Sequence, residues 1–177
     1  MQRTRRWFLT ALVAIAALPC ASGISLGESK PWNTIIKKAS SRFKLVLNKE
    51  AVYDKETGLV WERNPSPVPL EWITAIDQAP NRIVGERKGW RVPTVEELLT
   101  LIDPTRADPA LPSGHPFGNV AIFPERYWTA TGYVNDPSAA LTVRFDDGIV
   151  FFGLKNSVFH RVWLVRGGHG YDSRFTS

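Results

Sequence analysis

Aromatic rings and arginines are concentrated in the last third of the chain, where they could bind a sugar or an anion. Four of them stand out for this chemistry: Trp128, Tyr133, Arg144 and Arg161. Aromatic faces stack on sugar rings, and the guanidinium fork binds carboxylate or sulfate groups through paired hydrogen bonds. The alternative is that the rings are core residues and that the arginines are exposed or structurally paired. The sequence alone is compatible with both interpretations, a ligand-binding surface and a packed sheet.

Metal and cofactor chemistry finds little support in the sequence. The three histidines lack metal-ligand spacing, although His115, in a proline-rich loop, is a candidate ligand-binding residue. The alternative for His115 is a solvated loop residue. Asp136, Asp146 and Asp147 supply loop oxygens, but calcium needs six or more ligands and these residues suit turns. We therefore predict neither a metal site nor a cofactor.

The neighbouring carboxylates Glu96 and Glu97 raise the question of glycosidase chemistry. Such enzymes need two carboxylates that face each other across a sugar, whereas adjacent helical residues point in different directions. Helix capping explains both residues. The chain also lacks a Gly-x-Ser-x-Gly elbow and a phosphate-binding glycine loop, so we name no catalytic residue. A Ser-His-Asp set assembled by the fold stays open.

The best-defined element begins after Trp90 and Arg91. Thr94 is the expected N-cap, and Glu97 three residues later completes a capping box. Apolar residues recur on one helical face as far as Ile102, just before a proline. The sequence therefore predicts a packed helix here. We interpret Arg91 as a structural arginine bound to carbonyls or to a carboxylate.

The remaining pattern predicts an α+β domain with antiparallel strands, two helices and a long loop. Expected strands are 43–47, a hairpin within 51–62, 127–130, 141–145, 149–154 and 158–165, and the first helix is expected over 70–79. Residues 66–69 read as a stiff, extended linker, and 104–124 as a proline-rich loop that is functional or poorly ordered. Asp146-Asp147-Gly148 predicts a tight hairpin turn.

The first 23 residues predict an export signal, because Arg5 and Arg6 precede the short apolar run 11–18. The paired arginines resemble a twin-arginine signal, and an ordinary secretory signal is the alternative. Cleavage after Gly23 would remove Cys20, the sole cysteine, and leave a mature chain without thiols. Cys20 also raises a lipid-anchored alternative, but a preceding proline suits lipid attachment poorly. The apolar run is too short for a comfortable membrane span.

Removal of Arg3, Arg5 and Arg6 with the signal leaves 19 basic against 17 acidic residues, so the net charge falls from +5 to +2. Nucleic-acid binding therefore loses its electrostatic support. We expect a periplasmic or secreted bacterial protein; retention by an uncleaved signal is an alternative. The predicted boundaries are a leader over 24–41, one domain over 42–168 and a polar tail over 169–177.

Three separated motifs resemble the Lcl C-terminal domain family, named after the C-terminal domain of the Legionella collagen-like adhesin. They are the stretch from Asn48 to Glu62, the stretch from Lys88 to Leu98, and the closing Val165-Arg166-Gly167-Gly168. The resemblance covers about 43–168. It implies an exported protein with a C-type-lectin-like fold. The name-giving adhesin binds sulfated glycosaminoglycans and forms trimers, whereas most members have no assigned activity.

The chain departs from this family at two points. Members often carry cysteines at the positions of Ala79 and Leu164, and the resemblance therefore implies that these two residues are neighbours in an apolar contact. The Glu-Pro-Asn and Trp-Asn-Asp signatures of calcium-dependent lectins are absent. Sugar binding through calcium is thus not expected.

We hypothesise a non-catalytic exported binding module for a glycan or a sulfated polysaccharide, without fixing its oligomeric state. The first alternative is a module that binds another envelope protein through the 104–124 loop or a sheet edge. The second is an enzyme on a lectin-like fold, of which the formylglycine-generating and related oxygenases are examples. That chemistry uses a cysteine pair that this chain lacks.

Overall fold

The computed structural model describes residues 38–167, which form an α+β domain with two sheets and three short α-helices. The helices are α1 (Ala39–Arg42), α2 (Trp72–Gln78) and α3 (Val95–Leu99), and a 3-10 turn over Ala79–Asn81 follows α2. The strands are β1 (Phe43–Val46), β2 (Ala51–Asp54), β3 (Leu59–Glu62), β4 (Ser66–Leu70), β5 (Tyr127–Tyr133), β6 (Asp136–Val143), β7 (Val150–Leu154), β8 (His160–Val162) and β9 (Val165–Gly167). The α+β class predicted from the sequence is confirmed.

One sheet has the order β1-β2-β3-β9 and the other has the order β4-β8-β5-β6-β7. Neighbouring strands are antiparallel except β5 and β8, which pair in parallel through Tyr127 and Arg161. The expectation of purely antiparallel strands is wrong for this pair. β8 lies between β4 and β5 in its sheet, and of these two neighbours only β4 runs antiparallel to it.

The segment 158–165, predicted as one strand, contributes to both sheets. β8 pairs with β4 and β5, whereas β9 pairs with β3. Trp163 and Leu164 lie between the two strands and are both buried. At these two residues the chain passes through the core from one sheet to the other. The segment therefore links the two sheets covalently.

Residues 66–69, interpreted as a linker, belong to β4. The extended conformation was predicted correctly, but Ser66 and Leu70 also pair with Val162 and His160 of β8. Pro67 and Pro69 are tolerated because β4 lies at the edge of its sheet, where a missing amide does not interrupt a ladder.

The capping box of α3 is confirmed. Thr94 Oγ1 accepts from the Glu97 amide at 3.2 Å, and the Glu97 carboxylate accepts from the Thr94 amide at 2.9 Å. The helix ends at Leu99, three residues earlier than the apolar pattern suggests. There Thr100 Oγ1 donates to the Glu97 carbonyl at 2.6 Å, and the next amides turn back to carbonyls three residues earlier. The apolar face thus continues through a tighter turn.

The 104–124 segment contains no helix or strand, as predicted, yet it is part of the packed domain. Ala110, Leu111 and Phe117 are buried, and the Ala110 amide donates to the Phe145 carbonyl at 2.7 Å. The predicted leader also ends earlier than residue 41, because Ala39 lies in the core at the start of α1. The domain thus begins before residue 42.

Two hydrophobic clusters form the core. The first surrounds Trp61 and Trp163, and the second surrounds Trp90 and Trp128. The second cluster contains both Ala79 and Leu164, which also line the same small cavity. The two residues therefore share one apolar environment, as the family register requires.

Three predicted segments lie wholly or mostly outside the described residues: the export signal with Cys20, the leader before residue 38, and the tail with His169. Within 38–167, no helix is long and apolar enough to cross a lipid bilayer.

Candidate functional site

The ends of β5, β6 and β7 bring two arginines to one phenylalanine. Arg126 precedes β5, Arg144 follows β6, and Phe151 lies on β7, where it pairs with Thr142. The guanidinium carbon of Arg126 lies 4.0 Å from the centre of the Phe151 ring, and that of Arg144 lies 5.1 Å from it. We call Arg126, Arg144, Phe151 and the neighbouring Phe123 the arginine–phenylalanine surface.

The Phe123 side chain is the most exposed part of this surface. Its residue is 68% exposed, and the Arg144 guanidinium carbon lies 5.7 Å from its ring centre. Phe151 is half-buried, so one part of its ring is supported by the sheet and another part is open. Exposed rings beside guanidinium groups can stack on a sugar while the charged groups hold an anion.

Arg144 is already neutralised by the turn that follows it. Its guanidinium contacts Asp146 at 2.8 Å and also forms an ion pair with Asp147. The hydrogen bond from Arg144 lowers the pKa of Asp147, whose Oδ1 also accepts from the Ile149 amide at 3.0 Å. The side chain of Asp147 therefore caps the β6–β7 turn, as predicted for it, whereas that of Asp146 contacts only the Arg144 guanidinium among the contacts of the described residues.

Arg161 is paired as well, whereas no described residue forms an ion pair with Arg126. Arg161 Nε lies 3.2 Å from a carboxylate oxygen of Glu125. Among the residues the structure describes, Arg126 forms no salt bridge, and its side chain is half-buried against Phe151. Within 38–167, Arg126 is thus the residue at which this surface carries a positive charge without an ion-pair partner.

Tyr133 and Phe152 form a second aromatic pair on the other face of β7. Their rings are stacked at 4.7 Å with an interplanar angle of 3°, and Phe152 is 52% exposed. Successive side chains of a strand point to opposite faces, so Phe152 lies opposite Phe151. The structure therefore separates Tyr133 from Arg144, although the sequence suggested one mixed patch.

Trp128 lies in the core. It is 0% exposed, its indole N–H donates to the Leu70 carbonyl at 2.8 Å, and its ring packs 4.6 Å from that of His160. A ring without solvent-facing surface cannot stack on a ligand, so the interpretation of Trp128 as a ligand-binding residue is replaced by a packing role. Burial, followed by the charge of Arg126, lowers the pKa of His160.

His115 lies in the long loop, outside every strand. Its ring stacks on Phe117 at 5.9 Å, and its Nδ1 is buried without a hydrogen-bond partner among the described residues. Burial and then the charge of Arg106 lower the pKa of His115, which favours the neutral imidazole at pH 7. Within 38–167, no group of three or more acidic, histidine or cysteine residues is placed to hold a metal ion.

The sequence interpretation missed Arg126 and Phe151. The sequence did contain one indication for Arg126. It stands two residues before Trp128, and side chains two positions apart on a strand lie on the same face of the sheet. The proximity of Phe151 depends on the pairing of β6 with β7 and of β5 with β6, which no local pattern gives.

Comparison with known proteins identifies the family. The sequence model of the Lcl C-terminal domain matches residues 50–166. No curated protein and no solved structure shows significant similarity to the chain. The matched region begins just before β2, ends within β9 and includes the arginine–phenylalanine surface. Because it covers well over half of the sequence, the chain belongs to the Lcl C-terminal domain family.

Proposed function

We propose that this protein is an exported, non-catalytic binding module that recognises sulfated or carboxylated glycans at the bacterial cell envelope. The proposal rests mainly on the environment of Arg126. This residue has no ion-pair partner among the described residues, and its guanidinium carbon lies 4.0 Å from the centre of the Phe151 ring. A guanidinium held against a ring keeps its N–H groups oriented at low entropic cost. A sulfate or carboxylate can then receive two parallel hydrogen bonds.

The neighbouring groups give this surface a preference for glycans over small anions. Phe123 offers an exposed ring for stacking on a sugar face, while Arg144 and Arg161 lie within partly exposed ion pairs. An extended polyanion can exchange contacts with such pairs because the carboxylates of the protein are also in contact with water. We assign Arg126 the main electrostatic contribution, and Arg144 and Arg161 smaller ones.

The proposal extends to the fold family and to the location. Two sheets, short helices and a long loop packed on the core support a C-type-lectin-like fold. The paired arginines and apolar run of the first 23 residues support export, by the twin-arginine or the general route, to the periplasm or the exterior. Anchoring through Cys20 and retention by an uncleaved signal are the alternatives for its final attachment.

Chromatography of the full chain on immobilised heparin tests the proposal. The wild type should be retained at low salt and released as salt increases, because screening weakens exposed ionic contacts. Arg126→Gln should elute at lower salt and should bind a heparin oligosaccharide about tenfold more weakly, the effect of losing one charged hydrogen bond.

Arg87→Gln is the matched control, because Arg87 is exposed and the charge change is identical. It should elute close to the wild type. Phe151→Leu should weaken binding while leaving all the charges in place. Equal elution of Arg126→Gln and Arg87→Gln would contradict a specific role for Arg126, and no retention of the wild type at low salt would refute the function.

An envelope protein is the second candidate partner, favoured by the outer edge of the five-stranded sheet. β7 is the edge strand, and Val150, Phe152 and Leu154 are exposed along one of its faces. Exposed apolar patches of this kind often mark protein contacts. In a pulldown from an envelope extract, Phe152→Ser should lose a protein partner that Arg126→Gln retains, and the reverse result favours the glycan.

A further inference from the structure

β7 differs from the other three edge strands of the two sheets in residues 38–167. β4 carries Pro67 and Pro69, and β1 carries Lys44. β9 carries Arg166 and is bonded to Arg91 as well as to β3. Prolines, charges and covering segments are the devices with which proteins keep a sheet edge from pairing with another chain. β7, with the sequence Val-Phe-Phe-Gly-Leu, has neither a proline nor a charge.

The hydrogen bonds of β7 show which of its backbone groups face outward. The Ile149 carbonyl accepts from the Arg144 amide at 3.0 Å, and the Lys155 amide donates to the Ser138 carbonyl at 2.9 Å. Hydrogen-bonded pairs alternate along an antiparallel ladder, so the odd-numbered residues of 149–155 bond to β6. The backbone groups that point away from β6 therefore belong to the even-numbered residues Val150, Phe152 and Leu154.

The side chains of these three residues are apolar and exposed on one face of the sheet. In the ladder with β6, Phe152 lies opposite Leu141 and Val150 lies opposite Val143. Both β6 residues pack in the first hydrophobic cluster, and α3 covers β5 and β6 on this face. The apolar face thus extends beyond the helix onto β7, where the stack with Tyr133 at 4.7 Å orients the Phe152 ring.

A second copy of β7 fits this edge in an antiparallel register centred on Phe152. The two Phe152 residues then lie opposite each other, and Val150 of each copy lies opposite Leu154 of the other. Because the outward positions are symmetric about residue 152, the Phe152 residues exchange two hydrogen bonds, and each Leu154 amide donates to a Val150 carbonyl. The Leu154 carbonyl already accepts from the Ser157 amide at 3.4 Å, and these bonds do not depend on it.

The charges around β7 are compatible with pairing to an identical strand. A two-fold axis brings identical positions together, so a charge at the middle of the strand would repel its own copy, and β7 carries none. In the register centred on Phe152, Lys155 of one copy lies opposite Ile149 of the other, two positions from Asp147. Each end therefore brings a lysine beside a turn that carries carboxylates, and no like charges meet.

We propose that β7 pairs with β7 of a second copy of this chain, which joins two five-stranded sheets into one sheet. The two-fold axis closes the contact, so it forms a dimer and not a fibre. The axis runs perpendicular to the sheet and leaves both arginine–phenylalanine surfaces on one face, where an extended polyanion can contact both. The dimer rests on the second candidate function, a protein contact at β7, and its pairing involves neither Arg126 nor a glycan.

Sedimentation velocity of the full chain from about 1 µM to about 500 µM tests the dimer, since a short edge is a small interface of roughly micromolar or weaker affinity. The wild type should shift from monomer to dimer over this range. Phe152→Lys should raise the dissociation constant at least about a hundredfold, because two like charges then meet at the axis. Val134→Lys, in the exposed β5–β6 turn, adds the same charge and should behave as the wild type. The export signal is present in every variant, so association through it would affect both lysine variants equally.

Amide hydrogen exchange, followed by nuclear magnetic resonance, locates the contact within the dimer. The amides of Phe151 and Gly153 face β6, whereas those of Phe152 and Leu154 face outward. A rise in protein concentration should slow exchange at Phe152 and Leu154 and leave Phe151 and Gly153 nearly unchanged. A dimer in which exchange at Phe152 and Leu154 stays fast would overturn the strand pairing.

Phe152→Cys in a Cys20→Ser background gives an independent test of the register. Opposed, hydrogen-bonded residues have Cα atoms about 5.5 Å apart, within the range of a disulfide. Oxidised glutathione should therefore convert this variant to a covalent dimer, whereas Val134→Cys in the same background should stay mostly monomeric. Circular dichroism verifies that each variant is folded.

Three results would overturn the proposal: a chain that stays monomeric at every concentration, a trimer, or equal behaviour of the variants at positions 152 and 134. A different envelope protein bound at β7 without self-association would overturn it as well. Heparin retention of the same wild-type samples is measured in parallel. Its absence would refute glycan binding and leave the dimer standing, so the two failures are distinguishable.

Discussion

Arg91 binds both carboxylate oxygens of Glu97, at 2.7 and 2.6 Å, while Glu97 also caps α3. The backbone of Arg91 exchanges two hydrogen bonds with Val165 of β9, at 2.9 and 3.0 Å. One arginine therefore fixes the start of α3 against the strand that closes the four-stranded sheet. The interpretation of Arg91 as a structural arginine bound to a carboxylate is confirmed, and both Glu97 oxygens accept hydrogen bonds from Arg91 while one also accepts from the Thr94 amide.

Glu97→Gln should make folding less sensitive to acid. Burial acts to raise the pKa of Glu97, but the hydrogen bonds from Arg91 and Thr94 outweigh it and the pKa is lowered. A lowered pKa in the folded state gives stability that is present above the ordinary pKa of about 4.3 and is lost as the pH falls through the folded value.

Urea unfolding at neutral pH and at about pH 3 measures this effect. The difference in unfolding free energy between the wild type and Glu97→Gln should shrink at the lower pH. Glu96→Gln serves as the control, because Glu96 is exposed on the same turn. A difference that is constant with pH, or equal to that of Glu96→Gln, would exclude the ion pair as its source.

Arg42→Met should strongly destabilise the domain. Arg42 Nε and Nη2 donate to the two oxygens of Asp54 at 2.9 and 2.7 Å, and both residues are buried. Removal of one partner leaves a buried charge without compensation, which costs about 3–5 kcal/mol. Nη2 of Arg42 also donates to the Thr100 carbonyl at 2.7 Å, so that acceptor loses its donor too.

Denaturant titration of Arg42→Met, Asp54→Asn and the double variant checks the pairing. The double variant should lose less stability than the sum of the two single variants, because the second change removes a charge that is already unpaired. Arg87→Met, at an exposed position, should stay within about 0.5 kcal/mol of the wild type. A loss below about 1 kcal/mol in Arg42→Met would show that water or another group compensates Asp54.

Local sequence signals predicted local structure well in this chain. The capping box of Thr94, the hairpin within 51–62 and the Asp-Gly turn at Gly148 each depend on residues a few positions apart. Gly148 has a φ of +78°, a conformation that glycine adopts at little steric cost. Such features are readable because the chemistry that forms them is contained in one short segment.

Long-range relations were not readable in the same way. The segment 158–165 is rich in aromatic and β-branched residues throughout, so its pattern could not reveal that the chain leaves one sheet and enters the other at Trp163 and Leu164. The proximity of Arg126 to Phe151 follows from two strand pairings. The pairing of Arg161 with Glu125 brings together residues that are 36 positions apart. For such contacts the sequence supplies the residue types, and the sheet order determines which of them meet.

Glu62→Gln should change how stability depends on pH in the direction opposite to Glu97→Gln. Burial raises the pKa of Glu62, and the charge of Arg82 opposes this only in part. A folded-state pKa above the unfolded value gives stability that is complete below the ordinary pKa of about 4.3 and is lost as the pH rises through the folded value.

The wild type should therefore lose stability relative to Glu62→Gln as the pH increases from about 4 toward neutrality, since the amide does not titrate. Urea unfolding across this range measures the relative change, and Glu96→Gln provides the exposed control. If the wild type instead gained stability relative to Glu62→Gln with rising pH, the carboxylate would be stabilised as an anion. That result would contradict the raised pKa of Glu62 and show that its carboxylate stays charged in the folded protein.

Gly153→Ala should be far more disruptive than Gly132→Ala, although both glycines lie in strands of the same sheet. A Cβ atom at Gly153 would lie 2.8 Å from Trp128 Cη2 and 2.9 Å from His160 Nε2, whereas a Cβ atom at Gly132 would have no such neighbour within 4 Å. Trp128 cannot move aside easily, because it is fully buried and its indole is bound to the Leu70 carbonyl. Overpacking of this kind costs about 1–3 kcal/mol.

Thermal unfolding compares the two variants, and near-ultraviolet circular dichroism reports on the tryptophan environment. Since Gly153 shares a face of β7 with Phe151, a displaced Trp128 and His160 should also weaken heparin binding in Gly153→Ala. Equal stability of the two variants would mean that β7 shifts to make room for the added methyl group. Unchanged heparin binding by Gly153→Ala would show that the arginine–phenylalanine surface does not depend on the packing of Trp128 and His160.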